Sequence, residues 1–142
     1  MYSRLHLSIK HKIGLSWSLL IGISKFKADN YINQAKLSNS NNSKQPLSLY
    51  FHIPFCDTLC FYCACNKIAT KKRKKADTYL DYLEKEILMH SKLYDKDRKV
   101  EQMHFGGGTP TFLTDSQFER MMKMIANYFP LIDTEKRDYS IE

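Results

Sequence analysis

The chain has 142 residues, room for one domain of ordinary size and too few for two. Its 22 Lys and Arg against 15 Asp and Glu leave a formal net charge of +7, and 43% apolar residues with 13% aromatic are what a core requires, so a wholly disordered chain is excluded. No apolar run reaches the roughly 18–20 residues of a bilayer span, and four Cys gathered in one place are not the framework of a disulfide-dense secreted miniprotein.

The first 24 residues are the least readable. MYSRLHLSIKHK is basic and IGLSWSLLIGIS mostly apolar, the order of a secretory signal. Lys25, Phe26 and Lys27 follow where a small-residue cleavage site belongs, so a short helix, or sequence unrelated to the fold, is expected instead. Phe26, Tyr31, Ile32 and Ala35 recur at near-helical spacing over residues 26–37. LSNSNNSKQP, residues 37–46, reads as a linker and places the domain boundary after residue 46.

A regular alternation follows. Leu47 to Ile53 is rich in β-favouring residues and stops at Pro54, a first strand. The cysteine segment reads as a loop. From Asp77 to Tyr94, Leu80, Leu83, Ile87 and Leu88, flanked by Tyr79 and Tyr94, share one helical face. Val100 to Phe105 is a second strand, ending at Gly106-Gly107-Gly108. Thr114 with Gln117 three residues on predicts a capping box, opening a helix to about Tyr128 with Phe118, Met121, Met122 and Ile125 as its buried stripe. The Met121, Met122, Met124 group reads as core. Asp138 to Glu142 starts a third strand. The order βαβαβ predicts an α/β fold with parallel strands. Three such strands and two helices leave a sheet edge open, so residues 47–142 read as the truncated N-terminal portion of something larger.

Lys67, Lys71, Lys72, Arg73, Lys74 and Lys75 fall within nine positions. With no zinc finger, RNA-recognition signature or interleaved aromatics beside it, the run reads as a solvated face and not as a nucleic-acid site. His52 and His104 lie on strands and are expected to be packed or hydrogen-bonded.

Cys56, Cys60, Cys63 and Cys65 stand within ten positions. Bunched thiols suit one soft centre better than a disulfide framework, and they imply a reducing compartment, the cytoplasm. Iron–sulfur clusters take cysteine thiolates from such short loops, and three ligands leave one iron open for a small molecule. Zinc held by four thiolates, or by three with His52, and a redox pair from Cys60 and Cys63, use the same residues and stay open on spacing alone. The Gly106-Gly107-Gly108-Thr109-Pro110 run sits at the carboxyl end of a parallel strand, where ligands bind in such folds. Its exposed backbone groups are expected to hold the charged end of a ligand.

LYFHIPFCDTLCFYCACNKI, residues 49–68, closely resembles the signature of radical S-adenosylmethionine (SAM) enzymes. His52-Ile53-Pro54-Phe55 before the first Cys and Cys65-Asn66-Lys67 after the third narrow the resemblance to the oxygen-independent coproporphyrinogen III oxidases. It continues through KADTYLDYLEKEI and HFGGGTPTFL to the terminal SIE. The family's Tyr-Thr-Ser-Tyr-Pro stretch has no counterpart in residues 1–24. The resemblance implies a partial TIM-like β/α barrel, with Cys56, Cys60 and Cys63 holding a [4Fe-4S] cluster and Cys65 a nearby thiol. It implies that Tyr50, Tyr62, Gly107, Gly108, Thr109 and Glu142 contact SAM. It further implies oxidative decarboxylation of coproporphyrinogen III to protoporphyrinogen IX, driven by a 5′-deoxyadenosyl radical. No side chain is singled out as an acid, base or nucleophile, because the cofactors carry the hard step. The implied partners are the porphyrinogen substrate and an electron donor such as flavodoxin or ferredoxin. The full-length protein is expected to be a monomer without membrane or nucleic-acid binding, and the chain by itself to have little activity. A non-catalytic haem- or cluster-binding relative of the haem chaperones is the alternative; they usually lack the Cys65-Asn66-Lys67 part.

Overall fold

The computed structural model describes residues 7–10, 28–40 and 45–142. Its strands are β1 (Leu7–Lys10), β2 (Leu47–Ile53), β3 (Phe55–Cys56), β4 (Ile68–Ala69), β5 (Val100–Gly107) and β6 (Asp138–Ile141). Its helices are α1 (Ala28–Ser40), α2 (Lys75–Ser91) and α3 (Asp115–Tyr128), with a 3-10 turn at Pro110–Phe112.

Alternation along β2 decides the architecture. Leu47, Leu49, Phe51 and Ile53 are buried, while Ser48, Tyr50 and His52 stay partly open. β5 follows the same rule, with Met103 and Phe105 buried and His104 partly open. The buried face packs on Leu80, Leu83 and Ile87 of α2 and on Met121, Met124 and Ile125 of α3 in one core. Phe51 stacks on Phe105 at 5.3 Å between ring centres. The other face keeps a polar row, Tyr50 opposite His104 and His104 opposite Ser140. Parallel strands covered on both faces by helices are apolar throughout. Here one face keeps a row of polar side chains.

The four-stranded sheet has the order β1-β2-β5-β6, with β2, β5 and β6 parallel. That is the expected βαβαβ arrangement. Residues 7–10 differ from expectation: they form neither a helix nor an unrelated tail but an edge strand antiparallel to β2. The rest of the signal-like segment lies outside the described residues.

The helix predicted over 26–37 runs instead from Ala28 to Ser40, taking in the start of the polar stretch read as linker. Tertiary partners explain the extension. Asn39 Nδ2 donates to Leu93 O (2.9 Å), and Arg98 Nη1 donates to Ser38 Oγ (2.8 Å) and Asn39 Oδ1 (3.0 Å). Ala35 enters the main core, and the Tyr31 hydroxyl bonds His90 Nδ1 at 2.8 Å.

α2 starts at Lys75 and ends at Ser91, earlier at both ends than its apolar stripe suggests. Tyr94 is buried beyond its end. The capping box at α3 is as predicted: Gln117 N donates to Thr114 Oγ1 (3.3 Å) and Thr114 N to Gln117 Oε1 (3.1 Å). Met121 and Met124 are core residues and Met122 packs at its edge. Among the described residues no helix is long and apolar enough to cross a membrane.

Candidate metal centre

The cysteine loop springs from the carboxyl end of β2. Pro54 ends that strand, and β3 carries Phe55 and Cys56 beyond it to pair in parallel with β4. Ile68 N donates to Pro54 O (2.6 Å) and Thr70 N to Cys56 O (2.9 Å), so the excursion from Asp57 to Lys67 is closed at its base. The glycine run closes the other side. Gly108 N donates to Ile53 O (2.7 Å) and Thr109 N to Phe55 O (2.8 Å). Those two N–H groups therefore anchor the loop and do not stand exposed, as the sequence reading expected of the whole run. Phe55 roots the loop in the core, stacked on Phe112 at 5.0 Å and edge-on to Tyr79 at 5.5 Å.

The glycines are needed for close approach. A Cβ on Gly108 would lie 2.7 Å from Phe55 O, 2.8 Å from Ile53 O and 2.9 Å from Cys56 Sγ. Gly107 has φ of +110°, a region that favours glycine, and a Cβ there would meet the His52 ring at 2.5 Å.

Cys56 is buried at 6% exposure, Cys63 is half-buried, and Cys60 and Cys65 are exposed; all four are free thiols. Cys63 N donates to Cys60 O (3.3 Å) in a turn, and Lys67 Nζ donates to Cys63 O (2.7 Å). Hydrogen bonds from Cys65 and the Lys67 charge hold the Cys63 thiol below its ordinary range. The partnership with Cys63, with some burial, pushes Cys65 up. The thiolate is the metal-binding form of either residue. Among the described residues no three Cys, His, Asp or Glu side chains converge on one point. The donor set nevertheless fits a thiolate-held iron–sulfur cluster in kind: soft ligands on one short loop, with Cys56 packed closely against Gly108.

The polar sheet face borders this loop. The Tyr50 ring stacks on His104 at 5.5 Å, and burial, followed by the neighbouring Cys65 and Glu142 charges, raises its hydroxyl pKa. His104 Nδ1 bonds Ser140 Oγ (2.8 Å), and its Nε2 lies 3.4 Å from Glu142 Oε2. Glu142 N donates to Phe105 O (3.0 Å), while its side chain is 84% exposed. His52 Nε2 bonds Asn66 O (2.8 Å), and Tyr79 OH donates to His52 O. Both strand histidines are hydrogen-bonded, as expected.

Tyr50, Cys65, Glu142 and the Gly106–Gly108 run are thus gathered at one end of the sheet. Tyr62 stands apart, exposed on the outer part of the loop, and Thr109 is exposed at the base. The sequence reading missed Asn66 and Lys67 as braces of the loop, and Ser140 as a partner of His104. The two-residue period of the strands, which puts His104 and Ser140 on the face of Tyr50, was the available signal. It also missed that Arg73 is not simply solvated: its guanidinium forks onto Asp57 (2.9 and 2.6 Å) and lies 4.0 Å over the Phe112 ring.

The pattern that defines the radical SAM superfamily matches residues 50–141. The oxygen-independent coproporphyrinogen III oxidase of Pseudomonas aeruginosa is 46% identical over 106 residues, 75% of this chain and 23% of that protein. The protein of the same name from Mannheimia haemolytica is 44% identical over 106 residues, 74% of this chain and 72% of that sequence. Among solved structures, the Escherichia coli coproporphyrinogen III oxidase, described as a radical SAM enzyme, superposes with a TM-score of 0.70 at 43% identity. That match covers 82% of this chain and 25% of the other. The chain spans about a quarter of the length of the Pseudomonas and Escherichia proteins.

Proposed function

The chain belongs to the radical SAM superfamily and, within it, to the oxygen-independent coproporphyrinogen III oxidases, and from that premise we propose that its cysteine loop and neighbouring strand ends form the cofactor side of a site for oxidative decarboxylation of coproporphyrinogen III to protoporphyrinogen IX. The observation that carries this reading is Cys56, held on β3 just beyond the end of β2 and packed against Gly108, which directly follows the adjacent parallel strand β5. Cys56, Cys60 and Cys63 would hold a [4Fe-4S] cluster. Tyr50, Tyr62, Gly107, Gly108, Thr109 and Glu142 would contact SAM. When bound, these groups supply one-electron cleavage of the SAM C–S bond and hydrogen abstraction from the propionate side chains.

The chain's own residues bind and orient. Gly108, lacking a side chain, lets the strand end pack directly on the turn that carries Cys56, and Gly107 lets the backbone turn over His52. Glu142 offers an exposed carboxylate as acceptor for cationic or hydroxyl groups of SAM, and His104 steadies it from the side. The Tyr50 ring, stacked on His104, gives the polar face a flat wall. Lys67 and His52 brace the loop at Cys63 and Asn66. Flavodoxin or ferredoxin would deliver the electron, and the free thiols suit the reducing cytoplasm.

Anaerobic reconstitution with iron and sulfide tests the reading. The expected result is a brown chromophore with matching iron and sulfide, whose EPR signal changes when SAM is added. Serine at Cys56, Cys60 or Cys63 abolishes it and serine at Cys65 does not. A chain that takes up haem tightly, with no sulfide and no response to SAM, would instead be a haem-binding relative.

A further inference from the structure

We propose that Lys71, Lys72, Lys74 and Lys75 form the docking surface for an acidic one-electron carrier protein that discharges at the adjoining cysteine loop; this rests on the cluster reading above. Thr70, the residue before the run, donates its N–H to Cys56 O at 2.9 Å. Arg73, in the middle of the run, grips the carboxylate of Asp57, the residue after Cys56. The lysines are therefore tied to the base of the thiol loop on both sides.

Arg73 is half-buried and committed to Asp57 and Phe112. The four lysines are exposed, and among the described residues none is in an ion pair. Asp77, the acidic residue of the first turn of α2, is taken by Gln117 Nε2 at 2.7 Å. Lys74 and Lys75 moreover stand at the N-terminus of α2, and Lys74 provides no side-chain cap. Cations there oppose the helix dipole, which makes the placement a poor one for folding. The same placement adds the dipole field to four lysine charges in one positive patch, which steers an acidic partner.

Cleavage of each SAM consumes one electron from outside. The carrier's reduced flavin or [2Fe–2S] centre loses that electron and is oxidised by one unit, and the thiolate-held centre gains it; no bond or proton changes hands at the patch. Nucleic acid is the poorer fit, because KKRKK has no interleaved aromatic for base stacking, and nearby Phe112 is buried beneath Arg73.

The full chain, as purified and after anaerobic reconstitution, is titrated with an acidic flavodoxin and with an acidic [2Fe–2S] ferredoxin. Lys71→Glu/Lys72→Glu/Lys74→Glu/Lys75→Glu is compared with wild type and with the four-glutamine variant, all three matched by circular dichroism and thermal midpoint. The expected result is binding of at least one carrier that weakens about tenfold or more between roughly 50 and 200 mM salt. The glutamate variant loses at least tenfold in affinity and the glutamine variant falls between. Reduction by the carrier slows about tenfold in the glutamate variant, while reduction by dithionite is unchanged. Equal affinity of all three chains, no binding of either carrier at low salt, or tighter binding of a mixed-sequence RNA oligomer overturns the proposal. Lysine-dependent carrier binding by a chain that forms no cluster supports the surface and counts against the cluster reading. Reduction of a formed cluster that ignores the lysines sinks the surface alone.

Discussion

Gly108 lies so close to Cys56 that a methyl group at position 108 would sit 2.9 Å from the thiol sulfur, and closer still to two carbonyl oxygens of the same turn. Those carbonyls belong to Ile53 and Phe55, whose backbone is fixed by the hydrogen bonds from Gly108 and Thr109, so nothing there can swing aside. Gly108→Ala is expected to cost about 1–3 kcal/mol through overpacking and to lower iron uptake on reconstitution. At Gly106 the nearest atoms are the ends of the His104 and Tyr50 side chains, which can shift. Gly106→Ala should therefore lose less stability. Thermal midpoints and iron content of the two variants make the comparison; equal losses would show that the Gly108 contact is not the limiting one.

Gln117 serves two helices at once. Its Oε1 accepts from Thr114 N, and its Nε2 donates to Arg73 O (3.1 Å) and Asp77 Oδ1 (2.7 Å). Because it is nearly buried, Gln117→Ala leaves these partners without replacement, at an expected cost of about 1–3 kcal/mol. Gln117→Glu keeps the acceptor for Thr114 but faces Asp77 with a second carboxylate, so it should be no better than alanine at neutral pH. Urea unfolding of the two variants checks this.

The parts of the fold that the chain writes locally were the parts legible beforehand. β2 is legible because its apolar residues alternate, and α3 because Thr114 and Gln117 announce its start. The cysteine spacing marked the loop, and the glycine run marked the strand end beside it. What was hidden depends on distant partners. The Ser38-Asn39-Ser40 end of α1 looks like linker until Arg98, some sixty positions away, is seen to hold it. Leu7–Lys10 is too short to declare itself a strand, and its pairing comes from β2. The division of the basic run, Arg73 inward and the lysines outward, depends on Asp57 and Phe112, which no periodicity connects to it.

Arg98 is the residue on which α1 depends. It is 3% exposed and donates to Ser38 Oγ, Asn39 Oδ1 and, through Nε (3.1 Å) and Nη2 (2.9 Å), to Gln45 O. Arg98→Ala is expected to destabilise the chain by about 2–4 kcal/mol, the range for breaking a buried, charge-assisted network. Amide exchange should rise first in residues 28–40 and leave β2 and β5 protected. Uniform loss of protection along the chain would mean that α1 is not a separate unit.

His104 ties the polar row of β5 to both of its neighbours. Its ring stacks on Tyr50, its Nδ1 bonds Ser140, and its Nε2 faces Glu142. His104→Phe keeps a flat ring against Tyr50 and removes both polar contacts, whereas His104→Gln keeps hydrogen-bonding groups and removes the ring. If Glu142 contacts SAM, freeing its carboxylate weakens SAM binding by about tenfold, the equivalent of one lost charge-assisted contact of about 1.4 kcal/mol. The phenylalanine variant should then bind SAM more weakly than the glutamine variant although the sheet is at least as stable, because the ring is retained and the exposed Glu142 adds little to folding. Equilibrium dialysis of SAM, read beside thermal midpoints, separates the two effects. Affinity that simply follows stability across both variants would reduce His104 to a packing residue.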